Sequence, residues 1–129
     1  MANAARGGTQ TAYSWGGEIG EGNANCHPYG SEWDGKQTAP VGSFAPNGFG
    51  LYDMLGNVGE WVEDCYHDSY NGAPTDSSAW TTGPCTYRVF RGGNWNTIPA
   101  SLRSAFRIGF PSTGQGNDAG HRIGRTLDR

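Results

Sequence analysis

Hydrophobic and polar positions along this chain follow no sustained helical period. Residues 57–63 (NVGEWVE) predict a strand of mixed parity, and the alternating residues 87–91 (YRVFR) predict a second strand. Residues 103–107 and 121–125 are weaker strand candidates, and residues 50–54 are expected to make a single turn. The pattern therefore predicts a few short antiparallel strands joined by long ordered loops.

Turn-forming residues separate these segments and support a loop-rich fold. Turn signals lie at Asn71-Gly72, Gly83-Pro84, Gly92-Gly93 and Pro111-Ser112. The 22 glycines and 7 prolines disfavour a helical bundle, and 12% aromatic content argues against disorder. The 129 residues fit one domain, without an internal repeat or a linker.

Charge and hydropathy exclude several classes of function. The net charge is −3 and like charges form no run, so electrostatic binding of nucleic acid is not expected. No stretch approaches the roughly 20 apolar residues of a membrane span. Residues 1–8 lack the apolar centre of a secretory signal. We therefore expect a soluble protein.

Three cysteines occur, at positions 26, 65 and 85, without the CxxC spacing of a zinc site. Cys65 and Cys85 flank a loop rich in Gly, Ser, Thr and Pro, and a disulfide there would add about 3 kcal/mol of stability. The alternative is two buried thiols. With the disulfide formed, Cys26 is the unpaired cysteine.

Nine motifs, in order and over nearly the whole chain, resemble those of the formylglycine-generating enzyme (sulfatase-modifying factor) family. They are residues 4–8 (AARGG), 13–16 (YSWG), 24–26 (ANC), 38–44 (TAPVGSF), 46–54 (PNGFGLYDM), 56–61 (GNVGEW), 91–95 (RGGNW), 102–107 (LRSAFR) and 120–125 (GHRIGR). Gly59 stands where the family usually has Trp. The resemblance implies an α+β, C-type-lectin-type fold of few short strands. It also implies a single domain over 1–129 that is truncated at its N-terminal side relative to the family.

The resemblance further implies two structural calcium sites. The first set comprises the Asn25 and Asp34 side chains and the Cys26 and Lys36 carbonyls. The second set comprises the Asp53 and Glu60 side chains and the Gly56 and Val58 carbonyls. Calcium prefers such mixed oxygen ligands. Solvated surface acids, or Asp53 as a helix cap, are the alternative for these carboxylates.

The family's oxidase chemistry uses two cysteines as copper ligands, placed after the GGS-aromatic motif. The matching residues 96–102 (NTIPASL) contain no cysteine, and thiolates are the ligands that select copper(I). A related branch makes sulfoxides with non-haem iron, but His27, His67 and His121 are scattered here. We therefore expect neither copper nor iron and no catalytic residues. The alternative is an oxidoreductase domain or fragment of the formylglycine-generating or sulfoxide-synthase kind.

Residues 94–118, here called the binding segment, interleave a family framework with chemically mixed residues. The framework comprises Trp95, Pro99, Leu102, Arg103, Ala105 and Arg107. The mixed positions are Asn94, Asn96, Thr97, Ile98, Ala100, Ser101, Phe106, Ile108, Phe110, Ser112, Thr113, Asn117 and Asp118. Apolar residues in such a loop context are typical of an exposed binding patch, and a partly buried irregular core is the alternative.

The layout of the binding segment resembles that of the variable proteins of diversity-generating retroelements. Replacement of adenines in an Asn codon can produce all thirteen mixed residues. This resemblance implies a non-enzymatic module that displays a diversified surface, with a protein or cell-surface ligand as partner. The predicted disulfide favours the cell surface, secretion or a phage particle as its location. A structural module of a larger surface or phage protein remains a third interpretation.

Overall fold

The computed structural model describes residues 1–29 and 31–125. Gly30 and residues 126–129, which the predicted domain includes, lie outside the described residues. The described elements are the short helix α1 (Ala2–Arg6), the strands β1 (Gly59–Cys65), β2 (Tyr87–Arg91), β3 (Ile108–Pro111) and β4 (Ala119–Gly120), and a 3₁₀ helix (Pro99–Leu102) between β2 and β3.

The four strands form one sheet in the order β3-β2-β1-β4. Strand β2 pairs antiparallel with both β1 and β3. Strand β4 pairs with β1 in parallel, Gly59 opposite Ala119, so the prediction of antiparallel strands alone is wrong at this edge. Loops carry most of the remaining chain, as the sequence predicts, and the fold class is α+β.

The two weaker strand candidates, residues 103–107 and 121–125, do not form strands in the structure. Residues 103–107 form a turn, closed by the Phe106 amide donating to the Arg103 carbonyl over 2.8 Å, because the 3₁₀ helix delivers the chain into a bend. The strand follows at β3. Residues 121–125 are also not a strand, because β4 ends at Gly120 and the Arg122 side chain turns to Glu60.

Positive backbone φ angles explain two further differences. Asn57 has φ of 67°, so β1 begins at Gly59 rather than at residue 57. Gly50 (φ 74°) and Asp53 (φ 53°) interrupt residues 50–54, which form bends instead of a helical turn. The short helix α1 was not predicted. It ends at Gly7, whose φ of 58° is the left-handed conformation common after a helix.

The hydrophobic core is small and irregular. Its buried members are Ala5, Tyr13, Ala24, Cys26, Met54, Leu55 and Leu102. Tyr13 also donates from its hydroxyl to the Pro99 carbonyl over 3.0 Å, which ties the N-terminal loop to the 3₁₀ helix. Small side chains supply little apolar area, so buried hydrogen bonds complete the interior.

Asn57 is the centre of these buried hydrogen bonds. Its Oδ1 accepts from the Ala39 amide (2.7 Å), its Nδ2 donates to the Ala39 carbonyl (3.2 Å), and its amide donates to the Asn25 carbonyl (2.8 Å). Its own carbonyl accepts from the Trp95 amide over 3.0 Å. Asn57 therefore connects three loops and fixes the start of the binding segment.

The loop between β1 and β2 is cross-linked as predicted, by a disulfide between Cys65 and Cys85. His67 stacks on Trp80 with ring centroids 3.6 Å apart, and the Trp80 amide donates to the Asp64 carboxylate over 2.8 Å. These contacts order a loop that would otherwise be mobile. Over residues 1–29 and 31–125, no helix has the length and hydropathy needed to cross a membrane.

Candidate ligand-binding site

Three aromatic rings cover one face of the sheet beside the binding segment. Trp61 on β1, Phe90 on β2 and Phe110 on β3 contact one another with centroid separations of 5.0 to 5.9 Å. The Trp61 ring meets the other two edge to face, a favourable arrangement for aromatic pairs. Phe110 remains 42% exposed, so the cluster reaches the surface.

Gly59 makes room for the Phe90 ring. A Cβ atom built on Gly59 would overlap the ring edge of Phe90, so no side chain fits there while Phe90 keeps its place. Phe90 therefore fills space beside the position where the family usually has Trp. The exchange places a phenyl ring on this face of the sheet.

A cavity of about 250 Å³, here called the aromatic pocket, opens between this face and the binding segment. Its apolar lining residues are Phe90, Phe106, Ile108, Phe110 and Ala119. Its other lining residues are Gly93, Asn94, Thr97, Ser101, Gln115, Gly116 and Asp118. Mostly apolar walls with a few polar groups are the usual composition of a ligand site.

Asn94, Thr97 and Asp118 form the polar side of the aromatic pocket. Asn94 Nδ2 donates to Asp118 Oδ2 over 2.9 Å, and Asn94 Oδ1 accepts from the Asn96 amide over 3.0 Å. The Thr97 hydroxyl donates to the Asn94 carbonyl and accepts from the Asn94 amide. These bonds hold both ends of the binding segment in one conformation.

The structure brings seven of the thirteen predicted ligand-binding residues to the aromatic pocket. They are Asn94, Thr97, Ser101, Phe106, Ile108, Phe110 and Asp118. The other six, which do not line it, are Asn96, Ile98, Ala100, Ser112, Thr113 and Asn117. These six are exposed, as a contact surface around a pocket requires.

Sequence reasoning missed several residues of the aromatic pocket. Phe90 was assigned only to its strand, and Gly93, Gln115, Gly116 and Ala119 were not among the predicted contact residues. Asn94, expected on the surface, is only 6% exposed because its amide is used within the segment. The signal that the sequence offered is Gly59, which departs from the family motif and against which the Phe90 ring packs in the structure.

The predicted first calcium set has other partners in the structure. Asn25 is fully buried, donates to the Gln37 carbonyl (3.0 Å) and accepts from the Ser31 hydroxyl (3.1 Å). Asp34 Oδ1 lies 2.7 Å from His27 Nδ1. A cation bound between Asn25 and Asp34 would compete with these hydrogen bonds. The Cys26 and Lys36 carbonyls belong to the same loop.

The predicted second calcium set lies around a groove that Asp53, Glu60, Val58 and Arg122 line. Asp53 Oδ2 accepts from the Gly42 amide, but Asp53 Oδ1 is buried without a hydrogen-bond partner among the described residues. That orphan oxygen fits a cation ligand. Glu60, 5% exposed, forms a two-bond ion pair with Arg122, whose pKa its hydrogen bonds raise. The Arg122 guanidinium therefore already neutralises the Glu60 carboxylate of this set. The Gly56 and Val58 carbonyls are its other two members.

The cysteine and histidine side chains form no shared metal-binding cluster among the described residues. The described residues hold no cluster of three His, Cys, Asp or Glu side chains. Cys26 is buried, and desolvation, with a smaller effect of Asp34, raises the pKa of its thiol to about 11. The other two cysteines are joined in the disulfide. The described thiols therefore provide no reactive pair beside the binding segment.

Comparison with known proteins assigns the chain to a family. The model of the sulfatase-modifying factor enzyme 1-like domain matches residues 1–127. The formylglycine-generating enzyme of Thermomonospora curvata is 38% identical over 109 residues, which cover 71% of this chain and 35% of that enzyme. The serine/threonine-protein kinase pkn1 of Chlamydia caviae is 42% identical over 102 residues, or 77% of this chain and 15% of the kinase.

Solved structures agree with this assignment and with the predicted fold. PvdO from Pseudomonas aeruginosa superposes with a TM-score of 0.82 at 40% identity, over 93% of this chain and 47% of PvdO. Variable protein 1 of Treponema denticola superposes with a TM-score of 0.73 at 28% identity, over 93% of this chain and 42% of that protein. The chain thus spans less than half the length of each of these structures.

Proposed function

This chain belongs to the sulfatase-modifying factor enzyme 1-like family, and we propose that it is a non-enzymatic member that binds a protein or cell-surface ligand. The ligand contacts the aromatic pocket and the exposed residues of the binding segment around it. The observation that carries this proposal is the position of the pocket. Seven of its lining residues come from the thirteen positions that sequence chemistry singled out.

The surface has the composition that protein recognition needs. Ile98, Ile108 and Phe110 are between 42% and 59% exposed and lie in one segment with small polar residues. An apolar centre with a polar rim is the common arrangement of a protein interface. Exposed apolar side chains are costly in water, and a ligand that covers them offsets that cost.

The scaffold tolerates change at these positions. Leu102 is fully buried, and hydrogen bonds of the Trp95 backbone to Asn57 and Gly35 anchor the segment from outside. Exposed positions between such anchors accept substitution at little cost in folding free energy. Together with the likeness to the Treponema denticola variable protein, this supports a surface diversified by a retroelement.

Sequencing sister copies of the gene from one source tests the diversified surface. The proposal expects substitutions clustered at the thirteen positions, with the six framework residues and the rest of the chain constant. Synonymous changes over the same copies provide the internal control for mutation rate. Substitutions spread evenly along the chain would contradict the proposal.

The alternative, an oxidase domain, draws support from the identity to formylglycine-generating enzymes. Residues 96–102, however, contain no sulfur ligand, and oxygen ligands do not replace thiolates for copper(I). We expect the purified chain to consume no oxygen when copper and a cysteine-containing peptide are added. A formylglycine-generating enzyme in the same assay is the positive control, and turnover by this chain would overturn the non-enzymatic proposal.

A further inference from the structure

The polar wall of the aromatic pocket carries one negative charge. Asp118 is the single charged side chain among the described lining residues, and no described cationic side chain lines the cavity with it. Its Oδ2 accepts the hydrogen bond from Asn94. No hydrogen bond from a described residue reaches its Oδ1. One carboxylate oxygen is therefore available to a donor from outside.

Gly116 leaves room for that oxygen. A Cβ atom built on Gly116 would lie 2.5 Å from Asp118 Oδ1, so a side chain at position 116 would displace the carboxylate. Both residues line the aromatic pocket. The absence of a side chain at Gly116 therefore lets the Asp118 carboxylate keep its position at the wall of the cavity.

The remaining walls are suited to an apolar stem below a positive charge. Phe90, Phe106 and Phe110 present three phenyl rings, and Ile108 adds an aliphatic surface. Aromatic faces attract guanidinium and ammonium groups, and they pack against the methylene stems of the same side chains. Arginine is also enriched at the energetic centres of protein interfaces.

The size of the cavity suits a single large side chain. Its volume is about 250 Å³. An apolar cavity of roughly 150 Å³ holds a benzene ring, and sites for small-molecule ligands span roughly 300–1,000 Å³. The cavity thus fits a group somewhat larger than a phenyl ring, such as an arginine or lysine side chain.

We propose that the aromatic pocket anchors an arginine or lysine side chain of a protein ligand, its stem against the phenyl rings and its cation at Asp118 Oδ1. This inference rests on the proposed function, because it names the chemistry of the ligand at the same site. It adds that the charge of Asp118, rather than apolar contact alone, selects the anchor residue.

Titration of the ¹⁵N-labelled chain with n-butylguanidinium, followed by amide chemical shifts, tests the proposal. The neutral probe n-butylurea has nearly the same shape and is the matched control ligand. We expect shifts at Gly93, Gly116 and Ala119, with an affinity for butylguanidinium about fivefold above that for butylurea. n-Butylammonium, titrated in parallel, distinguishes an arginine from a lysine preference.

The variant Asp118→Asn keeps an oxygen for the Asn94 hydrogen bond and removes the charge, so the fivefold discrimination should disappear. Asp68→Asn, at an exposed carboxylate that does not line the pocket, should retain it. Where Asp118→Asn fails to fold, Gly116→Ala serves as the second variant and should likewise abolish discrimination, because the added methyl group displaces the Asp118 carboxylate. Spectral dispersion reports folding in each case.

Equal affinities for the two probes, discrimination that survives in Asp118→Asn, or the absence of shifts at the pocket would each overturn the anchor. None of these outcomes bears on whether sister copies vary at the thirteen positions. Conversely, evenly spread substitutions would contradict the proposed function even if butylguanidinium binds. The two proposals therefore fail on different measurements.

Discussion

Asn94 Nδ2 donates a hydrogen bond to Asp118 Oδ2 over 2.9 Å and so joins the first residue of the binding segment to its last. Asn94 is nearly buried, whereas the chain between the two residues is largely exposed. A short tie between the ends of a loop removes much of the freedom of the residues between them. Asn94 therefore stabilises the binding segment in addition to lining the pocket, where the sequence predicts only a contact residue.

Asn94→Ala should lower the free energy of unfolding by about 1–3 kcal/mol, because it removes the bond to Asp118 and leaves the Asn96 amide without its acceptor. Urea denaturation followed by tryptophan fluorescence measures the change. Asn117→Ala, at an exposed position of the same segment, is the control and should stay within about 0.5 kcal/mol of the parent. A loss at Asn94 no larger than at Asn117 would refute this stabilising role.

Gly59 and Phe90 should be energetically coupled. Gly59→Trp restores the residue usual in the family, but its side chain would overlap the Phe90 ring, so we expect a loss of about 1–3 kcal/mol or more. Phe90→Ala in the same chain removes the overlap. In a double-mutant cycle the two changes should therefore interact favourably by at least about 1 kcal/mol.

A matched glycine controls for the general cost of adding a side chain. Gly17→Ala introduces a Cβ where no atom lies within 4 Å, at a residue without a positive φ, and should change stability by less than about 0.5 kcal/mol. Additive effects of the Gly59 and Phe90 substitutions would show that Phe90 does not occupy the space beside Gly59.

The sequence predicts β1 and β2 well and the other two strands poorly. Alternation over residues 87–91 is long enough to define a strand. Strand β4 consists of Ala119 and Gly120, and two residues contain no period. Strand β3 contains Gly109 and Pro111, which disfavour strands in general. Strand β3 nevertheless pairs with β2, and the Tyr66 ring, which directly follows β1, packs over Gly109.

Prediction of the site succeeded for residues whose chemistry is unusual in a loop. Ile108 and Phe110 stand out because apolar side chains among glycines indicate a binding patch. Phe90 was missed because its strand pattern already explains an apolar side chain. Gly116 was missed because its contribution is the space that it leaves beside Asp118, which only the three-dimensional arrangement shows.

The disulfide between Cys65 and Cys85 should stabilise the protein by about 3 kcal/mol, because it joins two positions 20 residues apart and so restricts the unfolded chain. The double variant Cys65→Ala, Cys85→Ala tests this in urea denaturation. His67→Ala in the oxidised protein is the control for loop contacts alone, since it removes the stack on Trp80 but keeps the bond. A double variant no less stable than His67→Ala would contradict the prediction.

Calcium remains a prediction, and Asp53 provides its test. Asp53 Oδ1 is buried without a described partner, an arrangement that an added cation would relieve. Calcium at a hundredfold excess over its Kd should raise the free energy of unfolding by roughly 3 kcal/mol, and a chelator should lower the Tm to the calcium-free value. Asp53→Asn should remove the response, whereas Asp68→Asn should keep it.

The ion pair between Glu60 and Arg122 provides a second test of calcium binding. Its two hydrogen bonds, 2.7 and 3.0 Å long, already neutralise the nearly buried Glu60 carboxylate. A calcium ion must share Glu60 with the guanidinium, so Arg122→Gln should increase calcium affinity if both compete for the carboxylate. The contrary result is that calcium and chelator each leave the Tm of both the parent and Arg122→Gln unchanged. That result would rule out both predicted calcium sets, and Arg122 would then be the counter-charge of Glu60.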